Sequence, residues 1–252
     1  MKAIRILIVT FAVLVATSSV AWADIILVSP TNTPVATVAA SFTDLGGNGF
    51  GNAPRLLTLQ TNGIEIGSVI PVNQPQGDAV PNSGGNKSNT PTLAALQWDS
   101  GNRVGIGFNS GQTGNTGITL NSLTLTIYNG AAVVGTFNLA ASLTPLQFSA
   151  ADLALQQGNG NAVFNFGLSA TQQAQFNAIL AANGGVNNPN LRAGLAASLG
   201  CATTPSATCQ PSNDGPDSFL GFRQNIPDSA SVVSLGLALL GLGYFRKRMV
   251  RA

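Results

Sequence analysis

The chain has 252 residues, of which 44% are apolar and 8% are charged, with no histidine and a net charge of +2. The positive excess sits at the two ends: between Asp24 and Ile226 five basic residues stand against eight acidic ones, so this stretch carries −3. With no interior cluster of Lys and Arg to grip phosphates, a nucleic-acid partner is excluded, and the apolar content excludes a chain too polar to form a core.

In chain order, the first segment reads MKAIRILIVTFAVLVATSSVAWAD. Lys2 and Arg5 precede an apolar run over Ile6–Ala16, and Ala21 and Ala23 frame an A-x-A cleavage site. This pattern predicts a signal peptide over 1–23 and export of the chain from Asp24 onward. The body, 24–225, has the length of one all-β domain or of two small ones. Asn, Gln, Ser and Thr, with many of the 29 glycines, supply its polar surface in place of charge.

Strands are predicted at Ile25–Val28, Ala36–Phe42, Arg55–Gln60 and Ile64–Ile70, with Asn62-Gly63 reading as the turn of a hairpin between the last two. Pro71 to Pro91 reads as a long, polar, flexible loop. Leu93–Trp98 and Arg103–Phe108 come next, then the long run Gly117–Tyr128. Within that run the alternation changes phase at Asn121-Ser122, which predicts a bulge or a break. Asn129-Gly130 predicts a second hairpin, with Val133, Gly135, Phe137 and Leu139 alternating on the return strand. A short helical turn starts at Ser149, with Asp152 in its first turn. After a strand at Ala162–Leu168, Ser169 and Gln172 form a capping box for a helix whose apolar stripe is Phe176, Ile179 and Leu180. Asn183-Gly184-Gly185 ends it. Leu191–Leu199 and Ser218–Arg223 are the last strands. The predicted class is mainly β, an antiparallel β-sandwich with one or two short helices.

Cys201 and Cys209 are the only cysteines. In an exported chain two cysteines this close in sequence predict a disulfide. A metal site would need further ligands, and no histidine supplies one, so neither metal nor cofactor is expected. The same absence removes Ser-His-Asp and Cys-His catalysis. Asp214 and Asp217, in SNDGPDSF, fit either a cation site or a turn, and Asp-Gly-Pro favours the turn. Asp44 lacks the alternating acidic ligands of a calcium loop. GNGFGN and GIGFNSG lack the spacing and strand-to-helix setting of nucleotide loops and read as turns and strand kinks. Trp98, with Phe108 and Tyr128, is the candidate sugar-stacking face, although aromatics in strands more often pack inward.

The tail 226–252 is tripartite. Ile226, Pro227, Asp228, Ser229 and Ala230 precede an apolar run that ends at Phe245, and Arg246, Lys247, Arg248 and Arg251 close it. The run 229–245 is about 25 Å long as a helix, enough to cross a bilayer once the basic side chains snorkel. Their charge fixes that end in the cytoplasm. This layout resembles the PEP-CTERM class of bacterial sorting tails in its VPDSG-like variant, with Ile for the usual Val and Ala for the final Gly. The resemblance covers the tail alone. It implies handling by an exosortase, a membrane transpeptidase that acts near the Pro motif. It also implies transient anchoring in the inner membrane, then delivery to the cell surface or extracellular matrix. The expected partners are the secretion machinery, the exosortase, the membrane and exopolysaccharide. The expected role is structural or adhesive rather than enzymatic. Two alternatives remain: a carbohydrate-binding module using Trp98, and a hydrolase built on paired carboxylates.

Overall fold

A computed structural model describes residues 24–27, 54–81, 87–112, 116–154, 163–202, 208–213 and 215–224. The expected leader with Ala21 and Ala23, the strand at Ala36–Phe42, Asp44, Asp214 and the tail with its sorting motif, apolar run and basic end lie outside the described residues. Among the described residues no helix is long and apolar enough to cross a membrane.

The described strands are β1 (Asp24–Leu27), β2 (Arg55–Leu59), β3 (Ile64–Ile70), β4 (Gln74–Gly77), β5 (Val104–Asn109), β6 (Ile118–Asn129), β7 (Ala132–Leu139), β8 (Leu146–Phe148), β9 (Val163–Leu168), β10 (Leu191–Gly200) and β11 (Asp217–Arg223). The helices are α1 (Ala150–Ala154) and α2 (Ala170–Ala182). The molecule is mainly β, as its turn-rich alternation predicts. The antiparallel sandwich, however, is replaced by one mixed sheet in the order β2-β11-β5-β9-β1-β7-β6-β10-β3-β4, with β8 attached to β6. β1 makes it mixed, running parallel to β7 and antiparallel to β9. The sheet curls until its ends meet. Leu59 of β2 bridges to Ala79, just past β4, Val80 N donates to Thr58 O at 2.8 Å, and β2 packs against β3 and β10.

Curling one sheet round a single interior gives every strand an inner face, which the aromatic residues fill. Phe108 stacks on Phe219 at 4.8 Å between ring centroids, and Phe148 and Phe164 lie 5.6 and 6.3 Å from it. At the other end of the core Trp98 meets Phe176 of α2 edge-on at 6.5 Å. Ser169 caps α2 as its sequence predicts, its hydroxyl accepting from Gln172 N, and Gly184 and Gly185, both at φ near +80°, end the helix. In α1, Ser149 and Asp152 cap each other's backbone amides.

Several local expectations change. Asn62-Gly63 does not close a hairpin, because β2 pairs with β11 while β3 pairs with β10 and β4. Gly63 instead turns the chain at φ 88° and bridges to Ser212. Leu93–Trp98 is not a strand: Leu96 N and Trp98 N bond back to Thr92 O and Leu93 O, folding the segment into turns that seat Leu93, Leu96 and Trp98 in the core. The polar segment 71–91 is not simply a loop, for β4 pairs with β3 along it. Asn73 and Thr90 also bond through side chain and backbone, and Ser88 is buried against Thr58. Val133 of β7 is 60% exposed because the pairing slips between Ile127 and Tyr128. That slip leaves Phe137 and Leu139 inside and turns Val133 out.

Candidate functional site

β3 reads Ile-Glu-Ile-Gly-Ser-Val-Ile, and it presents its polar phase to the interior. Ile64 and Ile66 are 46% and 58% exposed, whereas Glu65, Gly67 and Val69 face inward. Gly67 shows why. A Cβ there would lie 2.6 Å from Leu59 Cδ2 and 2.7 Å from Ala79 N, so the closing seam of the sheet admits only glycine at this inward position. With Gly67 fixed inward, the two-residue period of a strand places Glu65 inward as well.

Glu65 meets Asp217, the first residue of β11. Both side chains are fully buried. The two carboxyls face each other, and Ser212 lies beside both. Glu65 Oε1 accepts from Thr61 N at 2.7 Å, which leaves Oε2 as a buried oxygen with no donor of its own. Asp217 is better supplied: Oδ1 accepts from Gly111 N at 2.8 Å, and Oδ2 accepts from the Ser212 hydroxyl at 3.2 Å. One proton resolves the arrangement. Carried by Glu65, it leaves Asp217 ionised among its donors.

The electrostatics agree. Burial, then the facing charge of Asp217, pushes Glu65 from 4.5 up to about 8, against the opposing bond from Thr61 N–H. Burial likewise raises Asp217 from 3.8 to about 6, limited by donation from Gly111 N–H and from the Ser110, Glu65 and Ser212 side chains. No Lys or Arg is among the groups acting on either carboxyl. Among the described residues no third Asp, Glu or Cys joins them as a metal-binding group.

Four chain segments converge here. They are the turn before β3, the loop after β5, the stretch after the disulfide, and the start of β11. Gly63 N and O exchange hydrogen bonds with Ser212 O and N at 2.9 and 3.0 Å. Gly111 and Gly215 press backbone to backbone, and a Cβ on Gly215 would meet Gly111 O. Cys201 and Cys209 form the predicted disulfide, with Cα atoms 6.2 Å apart, just upstream of Ser212.

The sequence-derived candidates are distributed differently. Trp98 does not offer a stacking face: it is fully buried, and its Nε1 donates to Phe222 O at 2.8 Å. Phe108 is fully buried and Tyr128 is 8% exposed, so these rings spend their apolar surface on the core. Asp217, expected in a turn, instead opens a strand and points inward. Gly111, from the glycine-rich GIGFNSG, supplies the amide that holds Asp217. Sequence reasoning missed the Glu65–Asp217 pair, whose members lie far apart in the chain. The available signal was a lone charged residue, Glu65, at an alternate position of a short isoleucine-rich strand.

A glycoside hydrolase needs its two carboxyls about 5–10 Å apart, with a sugar ring between them. Both fully buried and facing each other, Glu65 and Asp217 leave no open cleft for a sugar ring between them. What the cluster offers is a carboxyl that holds its proton and a carboxylate next to a buried hydroxyl. No protein-family model matches the chain, and no curated protein or solved structure matches it at a significant level.

Proposed function

We propose that the protein is exported, held transiently in the inner membrane by the helix 229–245, and passed by an exosortase-type transpeptidase to the cell surface or extracellular matrix. Its body then has a structural or adhesive role linked to exopolysaccharide. The observation that carries this reading is the C-terminal order of Pro-Asp-Ser motif, apolar run and basic cluster, on a chain whose first 23 residues have the pattern of a signal peptide. Proline lacks a backbone donor and biases the residue before it toward extended backbone, which would keep the motif around Pro227 available to a membrane enzyme.

The body supports the same reading. A Cys201–Cys209 disulfide suits an oxidising compartment. The wrapped sheet places the large aromatic side chains inside, consistent with a stable structural element. A carbohydrate-binding module relying on Trp98 gains nothing from this arrangement.

Mass spectrometry of surface or matrix material is expected to find a new C-terminus between Pro227 and Ser229. Shed protein that retains Phe245-Arg246 would contradict the proposal. Deleting Arg246 to Ala252 is expected to impair retention and processing, read as loss of the mature form from the surface fraction.

A further inference from the structure

Ser212 is arranged as a nucleophile out of reach of solvent. Its residue is 2% exposed, and its backbone is clamped on both sides by Gly63. Its hydroxyl donates to Asp217 Oδ2 at 3.2 Å, with Asn213 O as a second acceptor at 3.2 Å. The carboxamide of Gln112 lies against this pair. Its Nε2 donates to Ser212 Oγ at 3.4 Å and to Asp217 Oδ2 at 3.5 Å, and its Oε1 accepts from the Thr116 hydroxyl at 3.3 Å. The cluster therefore holds a hydroxyl, a base for its proton, an acyl carbon, and a donor on the acyl oxygen, which is the set that acyl transfer requires. An acyl group from solution would have to displace the Gln112 carboxamide to reach this buried hydroxyl. The Gln112 carboxamide is held beside it by the hydrogen bond from Nε2, so a turn of the amide that brings Cδ to Oγ is the approach left to make, and most of the entropic cost of bringing the two together is removed.

We propose that the folded protein joins Ser212 to Gln112 through an intramolecular ester. Ser212 Oγ adds to Cδ of Gln112 while its proton passes to Asp217. The C–O bond forms and the carbonyl electron pair moves onto Oε1, where the Thr116 hydroxyl stabilises it. The tetrahedral centre then collapses, restoring C=O and breaking the Cδ–Nε2 bond. Asp217 returns the proton to the departing nitrogen, which leaves as ammonia and is protonated in water. One ammonia is lost, and no oxidant, reductant or cofactor is consumed. The bond would tie the loop after β5 to the segment leading into β11, at the point where the four segments meet. It does not depend on how the tail is sorted.

Trypsin separates the two residues, since Gln112 falls in the peptide Val104–Arg192 and Ser212 in Ala193–Arg223. After reduction and alkylation, the digest of the full chain is expected to show these two peptides as one species, lighter than their sum by one ammonia. Hydroxylamine should split that species and leave a hydroxamate at position 112. The intact protein should show the same deficit, and Ser212→Ala and Gln112→Ala should abolish it. Separate peptides at their full sequence masses would overturn the proposal. So would separate peptides with Glu at position 112, which would mean that water, not Ser212, had attacked. Wild-type protein alone decides the matter, whether or not the variants fold.

Discussion

Phe108→Ala is expected to lower the stability of the body by about 3–5 kcal/mol. Phe108 lies at the centre of a ring cluster, stacked on Phe219 of the neighbouring strand and flanked by Phe148 and Phe164. These rings come from β5, β11, β8 and β9, so truncation opens a cavity where strands from both halves of the chain converge. The surrounding backbone is sheet on several sides and has little freedom to collapse into the gap, which puts the loss toward the upper end of the range. Trp98→Ala should cost a similar amount, because it empties a fully buried indole site and removes the Nε1 donor from Phe222 O. Total stabilities near 5–15 kcal/mol make either change large enough to populate unfolded chain. Urea denaturation gives the measurement, with Val133→Ala on the exposed side of β7 as the control, expected within about 0.5 kcal/mol of wild type. A Trp98→Ala protein of wild-type stability would mean that the indole is not packed as described.

Stability is expected to fall as pH rises from about 4 to about 9, on the order of a few kcal/mol, through the Glu65–Asp217 pair. Folding raises both affinities for protons, Glu65 from 4.5 to about 8 and Asp217 from 3.8 to about 6. Between those limits the folded chain holds protons that the unfolded chain has released. The pair's contribution is therefore fully present below about pH 4 and is lost as pH climbs through about 6 and then about 8. Above that the folded state must keep two facing carboxylates in its interior. Glu65→Gln retains an N–H to donate toward Asp217 and cannot ionise. It should flatten the profile and exceed wild type in stability at pH 9. The urea midpoint at pH 5 and pH 9 for both proteins tests this. A wild-type midpoint that is equal or higher at pH 9 would refute it.

The parts of the fold visible in the sequence are those set by local rules. The phase change at Asn121-Ser122 is a bulge, since Ser198 and Leu199 of β10 oppose Ser122 and Leu120 and pass over Asn121. Ser169 caps its helix and the two glycines end it because capping is decided within a few residues. The disulfide reflects proximity in the chain. What escaped is decided by partners far away. Asn62-Gly63 has hairpin chemistry, but β2 finds β11 at the other end of the body, and no local pattern encodes that choice. Leu93–Trp98 has a strand's composition, yet Trp98 packs against α2 and its indole bonds the end of β11. The alternation of β3 offers its isoleucines as the natural inner face. The close approach at Gly67 reverses that choice and carries Glu65 inside with it. The lone Glu of β3 was visible, but its inward turn toward Asp217, like the closure of the sheet, is set by contacts distant in sequence.

The position of β1 has a kinetic consequence. This strand stands at the start of the body, yet it is held by Asn138 and Leu139 on one side and by Phe166 to Leu168 on the other. β2 in turn waits for β11, near the end of the described chain. Pairings this distant in sequence are slow to form, because loop closure must precede any contact that rewards it. A chain emerging amino end first would therefore remain uncommitted until almost all of it had appeared. Such a topology suits a polypeptide threaded through a pore before it folds, and it leaves the early strands in need of protection from wrong partners during the wait.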